Sequence, residues 1–202
     1  MAKHLSNSKP RVAVYFEGLN TLFRLRESGW EECFDVGHAA RRIAGNRPLE
    51  GLYYFRARPS MPPIKAQHQY WDEIRHLSRI EKQLRGEFGR YVRYGYMVQR
   101  AYGWQEKMTD VWLAVQMMAD AWTNVYDVAI LVTADTDMVP AVQMLRYFDK
   151  RTELVVFPRS QRPRVTQLVQ AVSSIRTARR SWFRPYSSRL PHRTLSHEVR
   201  QI

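Results

Sequence analysis

Cysteine is nearly missing from this chain. Cys33 is the single one in 202 residues, which excludes an intrachain disulfide and a cysteine-built zinc cluster. No apolar run approaches the roughly 20 residues of a membrane-spanning helix; the longest runs are of strand length. The opening MAKHLSNSKP lacks the apolar core of a secretory leader, so a cytoplasmic protein with no membrane partner is expected. Acids are scarce: 19 Asp and Glu stand against 32 Lys and Arg, a net charge of +13. That surplus favours a polyanionic partner such as nucleic acid. There is no P-loop, no glycine-rich dinucleotide fingerprint and no nucleophile-elbow serine, so no nucleotide cofactor is expected. The six histidines have no ligand spacing. Cys33 follows Glu31 and Glu32, whose charges oppose a thiolate, so it is not read as a nucleophile.

What is present is an alternation of strand-like and helix-like segments. Arg11 to Phe16, Leu49 to Phe55, Tyr91 to Gln99, Val128 to Thr133 and Thr152 to Phe157 read as strands, with a short one near Val172 to Ile175. Short helices are expected after Asn20 and from Asp35 to Ala44. The clearest helix is Ile64 to Arg85, with Tyr70, Ile74, Leu77, Ile80 and Leu84 on one stripe. Thr109 resembles the N-cap of a helix to Trp122, whose apolar face would be Val111, Ala114, Val115, Met118 and Trp122. Met138 to Phe148 and Gln161 to Val169 read as further helices. The alternation predicts an α/β fold: a three-layer α/β/α sandwich with a mainly parallel central sheet. Residues 1–10 read as a disordered lead and 11–177 as the domain. Residues 178–202 read as a basic Arg/Ser/Pro tail, disordered in the free protein. From Arg176 onward there are seven arginines and one acid, Glu198.

Four acids sit where such a fold gathers ligands. Glu17 ends the first strand, Asp110 opens a helix, and Asp135 and Asp137 follow the strand Val128 to Thr133. The C-terminal ends of parallel strands and the starts of the following helices share one rim, where open α/β sheets bind ligands. Paired carboxylates repel unless a cation or a shared proton separates them. Mg²⁺ or Mn²⁺ takes a few carboxylates together with water and phosphate oxygens, and such ions activate water against phosphodiesters. Asn20, one turn past Glu17, offers a neutral oxygen. Singly, each acid has a plainer use as a helix cap, a turn residue or a partner of a helix dipole. Their combination and order carry the argument.

The segments VAVYFEGLN, EKMTDVWLAVQMMADAW and YDVAILVTADTDMVPAV resemble, in order and spacing, those of the NYN domain family, a branch of the PIN-like nucleases. The resemblance runs over about residues 11–177. It implies a PIN-like, Rossmann-like sandwich and metal-dependent ribonuclease chemistry. It makes Glu17, Asp110, Asp135 and Asp137 the metal-binding and catalytic acids, with Asn20 and Thr133 supporting them. The family's first acid is usually Asp, and here it is Glu17. Ala134 stands where glycine is frequent. Some relatives carry a Cys-x-x-Cys element that Arg100 to Gln105 lacks, so no zinc is expected.

Arg56, Arg58 and Lys107 are candidate phosphate contacts at the same rim. Tyr102 and Trp104 are candidate base-stacking residues in a loop, whereas Trp122, at helical spacing, reads as core. Three functions follow. The first is an endoribonuclease with a four-carboxylate Mg²⁺ or Mn²⁺ site acting on RNA, single-stranded by expectation. The second is an RNA-binding PIN-like module that does not cut. The third and most remote is an oxygenase-type enzyme of pyridine catabolism, because some proteins with this domain are linked to that chemistry. An exposed aromatic face would suit a homodimer.

Overall fold

A computed structural model describes residues 8–60, 67–90, 92–101, 103–158 and 165–186. Seven strands form one sheet in the order β4-β3-β2-β1-β5-β6-β7. They are β1 (Val12–Glu17), β2 (Leu49–Ala57), β3 (Arg93–Arg100), β4 (Gly103–Lys107), β5 (Val128–Val132), β6 (Arg151–Val156) and β7 (Ser174–Thr177). All neighbours are parallel except β3 and β4, an antiparallel edge hairpin. The chain first builds outward from β1 to β2 and β3, then restarts at β5 on the other side of β1. The crevice between the C-terminal ends of β1 and β5 is therefore the topological switch point.

Strand parity divides the core in two. Val12, Val14 and Phe16, with Val128, Ile130 and Val132, face one layer. That layer holds α1 (Gly18–Glu27), α2 (Val36–Ala44) and α3 (Gln67–Phe88). Ala13 and Tyr15, with Ala129 and Leu131, face the other. That layer holds α4 (Thr109–Trp122), α5 (Val139–Leu145) and α6 (Val165–Ala171). The expected three-layer sandwich is what the chain forms. Continuing the same parity sends Glu17 and Thr133 to the α4 side, where Asp110 lies. Gly18 permits the immediate turn into α1, because a Cβ there would meet the Tyr54 ring at 2.7 Å and the Phe55 carbonyl at 2.9 Å.

Three expectations need correction. The stripe Val111, Val115 and Trp122 is not the core face of α4: these residues are exposed, Trp122 at 77%. Leu113, Met117 and Ala121 are buried instead. Both faces of α4 are apolar, so periodicity alone chose the wrong one. Nor is Thr109 the cap of α4. It is the first helical residue, its hydroxyl donates to Glu106 Oε1 (2.7 Å), and left-handed Met108 (φ 73°) precedes it. Finally, the domain does not stop at Thr177. Ala178, Trp182 and Phe183 are buried with the first layer, and the Asp35 N–H donates to the Arg184 carbonyl (2.9 Å). Three apolar side chains outweigh the arginines around them. The expectations for residues 1–7 and 187–202 lie outside the described residues.

Candidate metal centre at the β1–β5 rim

Glu17 closes β1 and is 7% exposed. Its Oε2 accepts a hydrogen bond from the Thr133 hydroxyl. The same Thr133 oxygen accepts the Asp135 N–H (2.9 Å), and Asn20 Oδ1 accepts the Ala134 N–H (3.1 Å). Thr133 and Asn20 thus fix the loop that leaves β5. The Asn20 oxygen is engaged by backbone, so it positions the loop. Asp135 caps a 3₁₀ turn, Thr136–Met138, by accepting the Asp137 N–H on Oδ1 (2.9 Å). Asp110 arrives from the other side, on the first turn of α4.

One oxygen each from Glu17, Asp110 and Asp135 lie within 4.8 Å of one another. Asp137 is not one of the group. It is exposed on the 3₁₀ turn, and its charge helps to raise the Asp110 pKa. The four-carboxylate site is corrected to three acids with a fourth outside. Alternation along a strand would have kept Asp135 and Asp137 on one side; the 3₁₀ turn ends that alternation.

The three acids are electrostatically uncomfortable. Burial first, then Asp110 and Asp135, push the Glu17 carboxyl from its usual 4.5 to about 8, against the opposing Thr133 bond. Burial and the charges of Asp135, Glu106 and Asp137 raise Asp110 from 3.8 to about 6, with Lys107 opposing. An all-oxygen donor set with unbalanced negative charge fits a hard divalent cation. The donor chemistry therefore suits a divalent metal ion, which Glu17, Asp110 and Asp135 would hold.

The predicted RNA contacts divide. Arg56 is not a loop residue free to grip phosphate. β2 runs on to Ala57, Arg56 is 5% exposed, and it pairs with Glu73 and with Glu106 (3.4 Å). Those partners lie 17 and 50 residues away, so its sequence neighbours gave no hint. Replacing Arg56 with Met leaves two carboxylates unpaired at a buried site. It should cost about 3 kcal/mol or more in urea unfolding, and Arg56→Lys should recover little because a point charge cannot bridge both acids. Arg58 is exposed, its guanidinium 4.5 Å above the Tyr94 ring. Lys107 is half-buried at the end of β4. Trp104 is on the edge strand β4, not in a loop, and is 52% exposed. Tyr102 lies outside the described residues.

Glu106 was not singled out from the sequence. It accepts hydrogen bonds from the Ala57 N–H, the Thr109 hydroxyl and Arg56, tying β2, β4 and the start of α4 together behind Asp110. Its signal was its place in the EKMTD segment. Gly95 lets this junction close, because a Cβ there would collide with the Lys107 carbonyl and the Thr109 side chain.

Comparison with known proteins agrees with this architecture. A solved structure described as a protein of unknown function, VPA0982 from Vibrio parahaemolyticus RIMD 2210633, matches 88% of this chain and 98% of its own. The TM-score is 0.59 and the identity 19%, a likeness of fold. A curated relative, 6-hydroxy-3-succinoylpyridine 3-monooxygenase HspA of Pseudomonas putida (strain DSM 28022 / S16), is 45% identical over 58 residues. That stretch is 28% of this chain and spans 19% of the relative's length, too little to carry over its activity. The family model of the NYN domain matches residues 11–176, which takes in every strand but the last residue of β7. This chain belongs to the NYN domain family, within the PIN-like nucleases.

Proposed function

We propose that the protein is a divalent-metal-dependent endoribonuclease acting at the β1–β5 rim. The observation that carries this reading is the convergence of Glu17, Asp110 and Asp135 from three separate segments. A bound Mg²⁺ or Mn²⁺ supplies an activated water and stabilises the oxygen that leaves the phosphodiester. The chain's own part is positional. Asp110 and Asp135 present charge, Thr133 holds Glu17 by its Oε2, and Asn20 and Glu106 fix the two backbones that carry them. Lys107 and Arg58 supply positive charge for the RNA backbone, and the net charge of +13 attracts a polyanion from a distance. Single-stranded RNA is the proposed substrate form, with exposed Trp104 as a stacking surface, and the cytoplasm the proposed location.

One observation favours a second reading, an RNA-binding module that does not cut. Glu17 stands where the family's first acid is usually Asp, it is 7% exposed, and its Oε2 is already engaged by the Thr133 hydroxyl. Incubation of labelled single-stranded RNA with Mn²⁺, with and without chelator, separates the two. Chelator-sensitive cleavage supports the enzyme; salt-dependent binding without cleavage supports the module.

A homodimer through α4 belongs to the same proposal. Its outward residues Val111, Trp112, Val115 and Trp122 carry no charge. A second copy can therefore meet this face with less like-charge contact than a +13 chain meets elsewhere, Arg93 lying at its edge beside Trp112 and Gln116. Sedimentation should show a dimer at micromolar concentration that Val115→Asp converts to monomer; a monomeric wild type would refute it.

A further inference from the structure

Between α1 and α3 lies a cleft of about 620 Å³, a volume within the range of small-ligand sites. Leu19, Leu22 and Phe23 of α1 form one wall. Leu19 and Phe23 are exposed at 41% and 45%. His76, Arg56 and Cys33 line the other parts.

The polar groups of this cleft are unusual. His76 is 5% exposed, and among the described residues neither ring nitrogen has a hydrogen-bond partner. Its ring is fixed by Phe34 (centroids 5.7 Å apart) and Tyr186 (6.3 Å). Burial and Arg79 lower its pKa to about 4, so at neutral pH it offers one donor and one acceptor. Arg56 Nε is likewise buried without a partner. Buried polar atoms are rarely left so, and three of them, on two side chains, belong to one cleft.

The charge balance says what fits. Arg26 is paired with Glu32 (2.6 Å) and Arg56 with Glu73 and Glu106. Asp72 is paired with Arg75. Each cation lining the cleft is thus paired with an acid, and Arg79 at its edge is engaged by Cys33 Sγ (3.8 Å) and the Tyr186 ring. An apolar wall facing a neutral donor and acceptor suits a flat, uncharged heteroaromatic ring with a polar edge. The position says where it comes from. Leu19 is two residues past Glu17, and Arg56 bonds Glu106, which holds Thr109 beside Asp110.

We propose that this cleft is a nucleobase subsite. It packs the base of one RNA nucleotide against Leu19, Leu22 and Phe23 and pairs its edge with His76 and Arg56 Nε, next to the phosphodiester held at the acids. The phosphodiester's place rests on the ribonuclease reading; the binding of a base does not.

Cys33, the sole cysteine, reports on the cleft from within. Its alkylation by N-ethylmaleimide should be measured without metal in the presence of adenosine, guanosine, cytidine, uridine or ribose 5-phosphate. At millimolar concentration at least one nucleoside should slow alkylation severalfold, and ribose 5-phosphate should not. The same nucleoside should shift one histidine ring signal in the ¹⁵N spectrum. His76→Phe should abolish the protection. Phe23→Ala, at an exposed position, should weaken it and serves if His76→Phe does not fold. The proposal falls if no nucleoside protects, if ribose 5-phosphate protects equally, or if 2-hydroxypyridine protects and no nucleoside does. Protection in a protein that never cleaves RNA would keep the subsite and end the ribonuclease reading. Metal-dependent cleavage with no nucleoside protection would do the reverse.

Discussion

Replacing Asp135 with asparagine should lower Mn²⁺-dependent RNA cleavage by about a thousandfold, a loss of about 4 kcal/mol of transition-state stabilisation. The substitution is chosen because Asp135 does two things. Its Oδ1 accepts the Asp137 N–H and caps the 3₁₀ turn, and its carboxylate joins the acid group. Asparagine keeps an oxygen for the cap and loses the charge, so the circular dichroism spectrum should not change. Asp137→Asn is the comparison. Asp137 is exposed and outside the group, and its replacement should cost less than about tenfold, in line with one screened charge. Equal losses in the two variants would refute the three-acid site, and near-wild-type cleavage by Asp135→Asn would refute the enzyme.

Glu17→Gln should make the metal-free protein more stable at alkaline pH. The Glu17 carboxyl titrates near 8 when folded and near 4.5 when free. Between those values the folded state holds a proton that the unfolded state releases, so stability falls as pH rises. Asp110, raised to about 6, acts in the same direction at lower pH. His76, lowered from 6.5 to about 4, acts in the opposite direction, because there the unfolded state holds the extra proton. Above pH 6.5 the unfolded His76 loses its remaining proton within about one unit, a small opposing contribution, and Glu17 dominates the slope. From pH 6.5 to 8 the wild type in chelator should lose about 2 kcal/mol, or about 4–8 °C in Tm for a chain of this size. Glu17→Gln should show a flat profile over that interval. Mn²⁺, binding only the folded acids, should restore the wild type at pH 8 and should help Glu17→Gln far less. A wild-type Tm independent of pH from 6.5 to 8 would overturn the burial of Glu17.

The sheet and the three acid-bearing segments were legible because both rest on local pattern. Val128 to Val132 is apolar at every position, as a strand buried on both faces must be, and Asp135 follows it within three residues. The orientation of α4 was not legible, because its inward Leu113, Met117 and Ala121 are no more apolar than its outward Val111, Val115 and Trp122. Arg56 misled for a different reason. Its burial depends on Glu73 and Glu106, and long-range ion pairs leave no mark on neighbouring sequence. The buried Trp182 and Phe183 were masked by the composition of an arginine-rich stretch. Asp137 follows the same spacing logic as Asp135, and only the 3₁₀ turn separates their fates.

The pairing of β1 with β5 also bears on when the acid group assembles. Glu17 and Thr133 are 116 residues apart in the chain, and contacts of such separation form late because the loop between them must close first. During synthesis β1 can pair with β2, but the acid group is incomplete until β5 and the loop to Asp137 have left the ribosome. A nascent chain therefore carries its positive charge beside ribosomal RNA before its three acids come together. The insertion of β5 next to β1, on the far side from β2, delays the assembly of the three acids until the loop that follows β5 has been made.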